Sequence, residues 1–135
     1  MIDSTPPDSR PAADGAGAPT LPRGTRLPDG LEIERVLAAD GFAVVYLAND
    51  PALQRQVAVK EYFPRALAVR DAEGAVVLRA PVHAEAFEHG RAAFMDESRQ
   101  LARVDHPSLV RVLRLREDRG TAWRVMPYYP GRTLA

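Results

Sequence analysis

Residues 57–64 read Val-Ala-Val-Lys-Glu-Tyr-Phe-Pro. β-Branched and aromatic residues dominate this stretch, which predicts a strand over 56–62. Pro64 cannot donate to a ladder and ends it. Strand side chains alternate, so Ala58 and Lys60 share one face, roughly 6.6 Å apart. Lys60 is the single lysine in a chain whose Lys and Arg residues total 18. Where every other base is arginine, a lone lysine marks a place that a compact point charge suits better than a planar fork.

Upstream, 31–37 (LEIERVL) and 42–48 (FAVVYLA) read as two more strands. Ala39-Asp40-Gly41 between them carries the Asp-Gly pair of a tight hairpin. Downstream, 65–82 is less regular, with a turn at Asp71-Ala72-Glu73-Gly74 between two short extended pieces, LAVR and AVVLR. The pattern over 83–104 predicts a helix, because Phe87, Phe94 and Leu101 recur every seventh residue with Met95 and Val104 beside them. Gly90 is a weak point within it, and Asp105-His106-Pro107 stops it. Two final strands are expected over 109–116 and 121–126, around the turn at 117–120. Pro127, Pro130 and Gly131 then break the chain, and Thr133-Leu134-Ala135 has room only to begin a helix. Three strands, a long helix and two strands, joined by short turns, imply an α+β fold: a five-stranded antiparallel sheet with one packed helix.

At 135 residues the chain has the size of one domain. Its 18 acidic residues balance the basic ones, which argues against a nucleic-acid binder. Without cysteine there is no disulfide framework, thiolate metal site or cysteine nucleophile. No apolar run is long enough to span a membrane, and the acidic, proline-rich start is not a signal peptide, so a cytoplasmic location is expected. Residues 1–23 are rich in Pro, Ala, Gly, Asp and Ser and too poor in large apolar groups to offset their ordering entropy. A disordered tail is expected over 1–26 and one folded domain over 27–135.

Strand, tight turn, strand, Val57-Ala58-Val59-Lys60-Glu61-Tyr62-Phe63-Pro64, then a helix with Phe94-Met95-Asp96-Glu97-Ser98-Arg99 and the run His106-Pro107-Ser108-Leu109-Val110: this order resembles the N-terminal lobe of bacterial serine/threonine protein kinases. The resemblance spans about residues 29–135. It implies that Lys60 reaches the phosphates of ATP and that Glu97 pairs with Lys60. Val45 and Ala58 would enclose the adenine, with Met126 behind it. Pro127, Tyr128 and Tyr129 would form the hinge, adenine meeting the Pro127 carbonyl and the Tyr129 amide. Read as residues alone, the less favoured alternatives are a surface strand lysine for Lys60 and a solvated helix glutamate for Glu97. Met126 and the tyrosines could be ordinary packing. His83, His89 and His106 are not at metal-ligand spacings and suit structural roles, and no metal site is expected.

The kinase phosphate loop, Gly-x-Gly-x-x-Gly-x-Val, aligns with Ala38-Ala39-Asp40-Gly41-Phe42-Ala43-Val44-Val45. Its three glycines are replaced by Ala38, Asp40 and Ala43; Gly41 remains for the turn. A carboxylate near a phosphate costs about 1–4 kcal/mol at ~4 Å in a wet cleft, so ATP binding should be weak. Nothing here matches the His-Arg-Asp catalytic loop or the Asp-Phe-Gly metal motif. The resemblance therefore implies an N-lobe that is inactive alone as a fragment, with magnesium bound only in company with a C-lobe. A C-lobe or a protein partner would cover the cleft face. The alternative is a pseudokinase-like binding module with weak or no ATP binding. A third is a small α+β domain whose likeness is accidental.

Overall fold

The computed structural model describes residues 20–103 and 112–130. Five strands form the main antiparallel sheet: β1 (Glu32–Ala39), β2 (Ala43–Asp50), β3 (Arg55–Tyr62), β6 (Arg114–Asp118) and β7 (Thr121–Pro127), in the order β1-β2-β3-β7-β6. A two-stranded ribbon, β4 (Ala68–Arg70) and β5 (Val76–Leu78), stands apart from it. One long helix, α1 (Ala84–Arg103), follows a short 3₁₀ turn at Pro81–His83. The expected five-stranded sheet with a packed helix is present. The two extended pieces around Asp71–Gly74 pair with each other and not with the sheet. Among the described residues the fourth strand of the sheet begins at Arg114; residues 104–111, including His106 and the expected helix stop, lie outside them, as do 131–135.

β2, β3 and β7 are central strands, and their middles are buried on both faces, including Ala43, Val44 and Tyr46–Ala48 of β2, Val57–Val59 of β3 and all of β7. By alternation Val57, Val59 and Glu61 face one side of β3, and Ala58, Lys60 and Tyr62 the other. The first face packs Tyr46, Val57, Val59, Trp123 and Val125 into a core with Leu21, Leu27, Leu31 and Ile33. The fold thus begins earlier than the expected boundary after residue 26. Leu21 is only 5% exposed, and its amide donates to Tyr46 Oη at 3.0 Å. Two single leucines among prolines and glycines do the packing, and composition averaged over the segment hides them. The remainder of the expected tail, residues 1–19, lies outside the described residues.

Glu61 is fully buried on that same face. Arg70 of β4 meets it in a fork, Nη1 donating to Oε2 at 2.8 Å, and Tyr46 Oη donates to Oε1 at 3.0 Å. The guanidinium also lies over the Phe63 ring, 4.6 Å from its centroid. Burial pushes the Glu61 carboxyl upward, and Arg70 and Tyr46 oppose that push. This network ties the ribbon to the sheet.

The helix covers the other face with Phe87, Phe94, Met95 and Ser98. Leu101, expected in line with the two phenylalanines, is half-buried, and Ser98, fully buried, takes the inner position. Gly90 has a specific reason: a Cβ there would collide with Tyr62 Oη. That hydroxyl donates to the Phe87 carbonyl at 3.0 Å, and the Tyr62 ring meets the Phe87 and Phe94 rings at tilted angles.

Two outcomes follow for stability. Gly90→Ala gains helix propensity of about 1 kcal/mol but overpacks against Tyr62, so a net loss of about 1–2 kcal/mol is expected in urea unfolding. Tyr62→Phe in the same chain recovers part of it. Glu61→Gln leaves Arg70 buried without its counter-charge and should cost about 3–5 kcal/mol. Glu61→Met with Arg70→Met together should cost much less; equal losses for the single and double changes would show that the ion pair is not what holds the ribbon.

Candidate functional site

The face of the sheet that carries the helix also carries the residues singled out in the sequence. Register aligns them in two rows. Val45 of β2 pairs with Lys60 of β3, and Lys60 with Arg124 of β7. Leu47 pairs with Ala58, and Ala58 with Met126. Ala58 is fully buried and Met126 nearly so, while Val45 and Lys60 are half-buried. A small residue thus lies beside a cation on one pleated face.

Ala38 and Ala39 end β1, and Asp40, Gly41 and Phe42 form the hairpin tip. The tip is closed by its own side chain. Asp40 Oδ1 accepts from the Phe42 amide at 2.7 Å and from the Ala43 amide at 2.9 Å. The Phe42 amide does most to hold the Asp40 carboxyl below its ordinary value; partial burial works against it, and the Ala43 amide and the Lys60 charge add to the lowering. A carboxyl lowered in this way steadies the loop above the ordinary carboxylate range, and that contribution is lost as pH falls from there through the lowered value. The two amides nearest the tip are therefore already spoken for by an internal anion. Gly41 and Phe42 also give their carbonyls to the Arg65 and Phe63 amides, at 3.0 and 2.8 Å, which anchors the tip to the chain after β3.

The ion pair made by Glu97 differs from the one expected. Its carboxylate, 63% exposed, accepts from Arg124 Nη1 at 3.2 Å, and Arg124 is only 3% exposed. Arg124 Nη1 also reaches Ser98 Oγ at 3.2 Å, and the guanidinium lies 5.1 Å from the centroid of the Phe94 ring. Its Nε is buried with no hydrogen-bond partner among the described residues. Lys60 makes no ion pair within 4.0 Å among the described residues. The physical reason for the exchange is that Arg124 stands next to Lys60 on the adjoining strand, is the more deeply buried of the two cations, and has the greater need of a counter-charge.

Pro127 is buried at the end of β7, and Tyr128 and Tyr129 run on from it half-buried. Beside them lies a cavity of about 320 Å³ that also touches Arg55, Gln56 and Leu113. A larger cavity, about 670 Å³, lies on the opposite side of the sheet between the N-terminal arm and the β4–β5 turn, away from Lys60. His83 and His89 stand apart at the start of the helix region, and among the described residues no three His, Asp or Glu side chains gather as metal ligands. No helix among them is long and apolar enough to cross a membrane. Sequence reasoning passed over Arg124 and Glu61. A signal existed for both: each is a charge at a strand position whose neighbours of the same parity are buried.

No family model matches the chain. It is 32% identical over 111 residues to the serine/threonine-protein kinase PrkC of Bacillus subtilis, a match covering 82% of this chain and 14% of that protein. It is similar to the solved structure of PpkA-294 in its apo form, with a TM-score of 0.82, 39% identity, and 87% of this chain covered against 41% of that one. The Mycobacterium tuberculosis PknI kinase domain superposes with a TM-score of 0.57 at 25% identity, covering 83% of this chain and 38% of that one. The chain thus spans a small part of the curated kinases it matches and about two fifths of each of these two solved chains. With its five-stranded sheet and the single helix packed on it, the chain has the fold of a protein-kinase N-lobe and is similar over most of its length to bacterial serine/threonine protein kinases.

Proposed function

We propose that the helix-bearing face binds the adenine nucleotide of a protein-serine/threonine kinase reaction. One observation carries this reading: Lys60 and Ala58 share a face, in register with Val45 on one side and Met126 on the other. In this reading Val45 and Ala58 enclose the adenine, Met126 backs it, the Pro127 carbonyl and Tyr129 amide meet its edge, and Lys60 draws in the phosphates. Phosphoryl transfer to a protein hydroxyl also needs a catalytic base and carboxylates for magnesium, which a C-lobe would supply on the covered cleft. The whole reaction, its substrate protein and a cytoplasmic location belong to this proposal.

Asp40 supports a second reading, a pseudokinase-like module whose cleft face docks a protein and binds ATP weakly or not at all. The two amides that its carboxylate occupies are not free for phosphate, and its charge repels a triphosphate while partly offsetting Lys60.

Titration with Mg-ATP, followed by the rise in melting temperature, separates them. The wild-type chain should show weak binding, far above micromolar. Asp40→Gly should tighten it about tenfold or more, since removing one repulsive charge is worth about 1–4 kcal/mol. Lys60→Met in the Asp40→Gly chain should abolish the gain. Sub-micromolar binding by the wild type would contradict the account of Asp40. No binding by Asp40→Gly would favour the docking module.

A further inference from the structure

We propose that Arg124 is a positioning residue: through Glu97 it fastens helix α1 to β7 and leaves the Lys60 ammonium to act without a helix carboxylate. Lys60 and Arg124 are register partners on adjoining strands, so one carboxylate on the helix above them has two cations to choose from. Burial decides the choice. The Arg124 side chain is 3% exposed, and a guanidinium cannot shed its proton to relieve the cost. Lys60 is half-buried on a flexible stem that can carry its charge to water. Moving Glu97 to Lys60 would strand a buried cation to serve a solvated one.

The helix is shaped for the guanidinium. Three of its positions, 94, 97 and 98, contact Arg124: the Phe94 ring at 5.1 Å, the Glu97 carboxylate at 3.2 Å and the Ser98 hydroxyl at 3.2 Å. Ser98 Oγ in turn donates its own proton to the Phe94 carbonyl at 2.8 Å, so it meets Arg124 as an acceptor. Asp40 of the hairpin tip is an acidic group whose carboxyl is lowered in part by the Lys60 charge. With Glu97 held by Arg124, an anionic ligand would not have to displace a helix carboxylate from Lys60.

This assignment rests on reading the face as the kinase nucleotide site, but its test uses no nucleotide, so either can fail alone. Lys60 is the only lysine, and its Nζ gives a single side-chain ammonium resonance in ¹⁵N-labelled chain at low temperature. Glu97→Gln should leave that resonance in place. In an Arg124→Met background the same change should move it, because Glu97 is then free to turn to Lys60. A resonance that moves with Glu97→Gln while Arg124 is intact overturns the proposal, as does one indifferent to Glu97 in Arg124→Met. Should Arg124→Met not fold, a urea-unfolding cycle of Lys60→Met and Glu97→Gln decides. The two changes should combine within about twofold of independence in the unfolding constant. Coupling of about fivefold or more would show that Glu97 serves Lys60 after all.

Discussion

The pleat of β3 sends two opposite charges on successive residues, Lys60 and Glu61, to opposite faces of a central strand. Glu61 goes into the core, where only a matched guanidinium makes its burial tolerable. Arg70 supplies it, and in doing so draws the β4–β5 ribbon and the chain leading to it across the back of the sheet. Lys60 goes to the front. With the back closed by ribbon and arm, the front is left for the helix and for whatever meets the row of Val45, Lys60 and Arg124.

On the front, packing and charge are settled by neighbours on the same helix. Phe87 and Phe94 hold Tyr62 between them, Gly90 makes room for its hydroxyl, and one turn farther on Glu97 and Ser98 receive Arg124. The helix is thus attached through β3 by apolar contact and through β7 by charge. The face holds two cations and a single mid-helix carboxylate, and Asp40 at the hairpin tip restores part of the balance from the other end.

Much of this was legible in the sequence because it depends on short-range rules. Alternation placed Ala58 with Lys60, the Asp-Gly pair placed the hairpin, and the spacing of Phe87 and Phe94 placed the buried side of the helix. Cross-strand register then brought Val45 and Met126 to the same face. The partner of Glu97 was not legible. Spacing offers it two cations, and the winner is set by how deeply Arg124 is buried, which only the assembled sheet determines. Glu61 was half-legible: a charge at the parity of Val57 and Val59 demands a partner, but nothing local says that Arg70 is the one. The ribbon was legible as two extended pieces around a turn, though not as a separate sheet, because its pairing is local while its attachment is a long-range ion pair. Leu21 and Leu27 escaped notice because each acts singly, amid residues that by composition belong to a tail.

The arm before β1 has a hold on the interior out of proportion to its size. Tyr46 Oη has one proton to give and two lone pairs to offer. It gives the proton to Glu61 and accepts from the Arg70 guanidinium and from the Leu21 amide. The backbone of the arm is therefore wired into the same buried cluster that secures the ribbon. A protease nick or a trimmed start anywhere from residue 21 to 27 would act as a wound to the back of the sheet, letting water in beside Tyr46, and would not pass as the loss of a loose end.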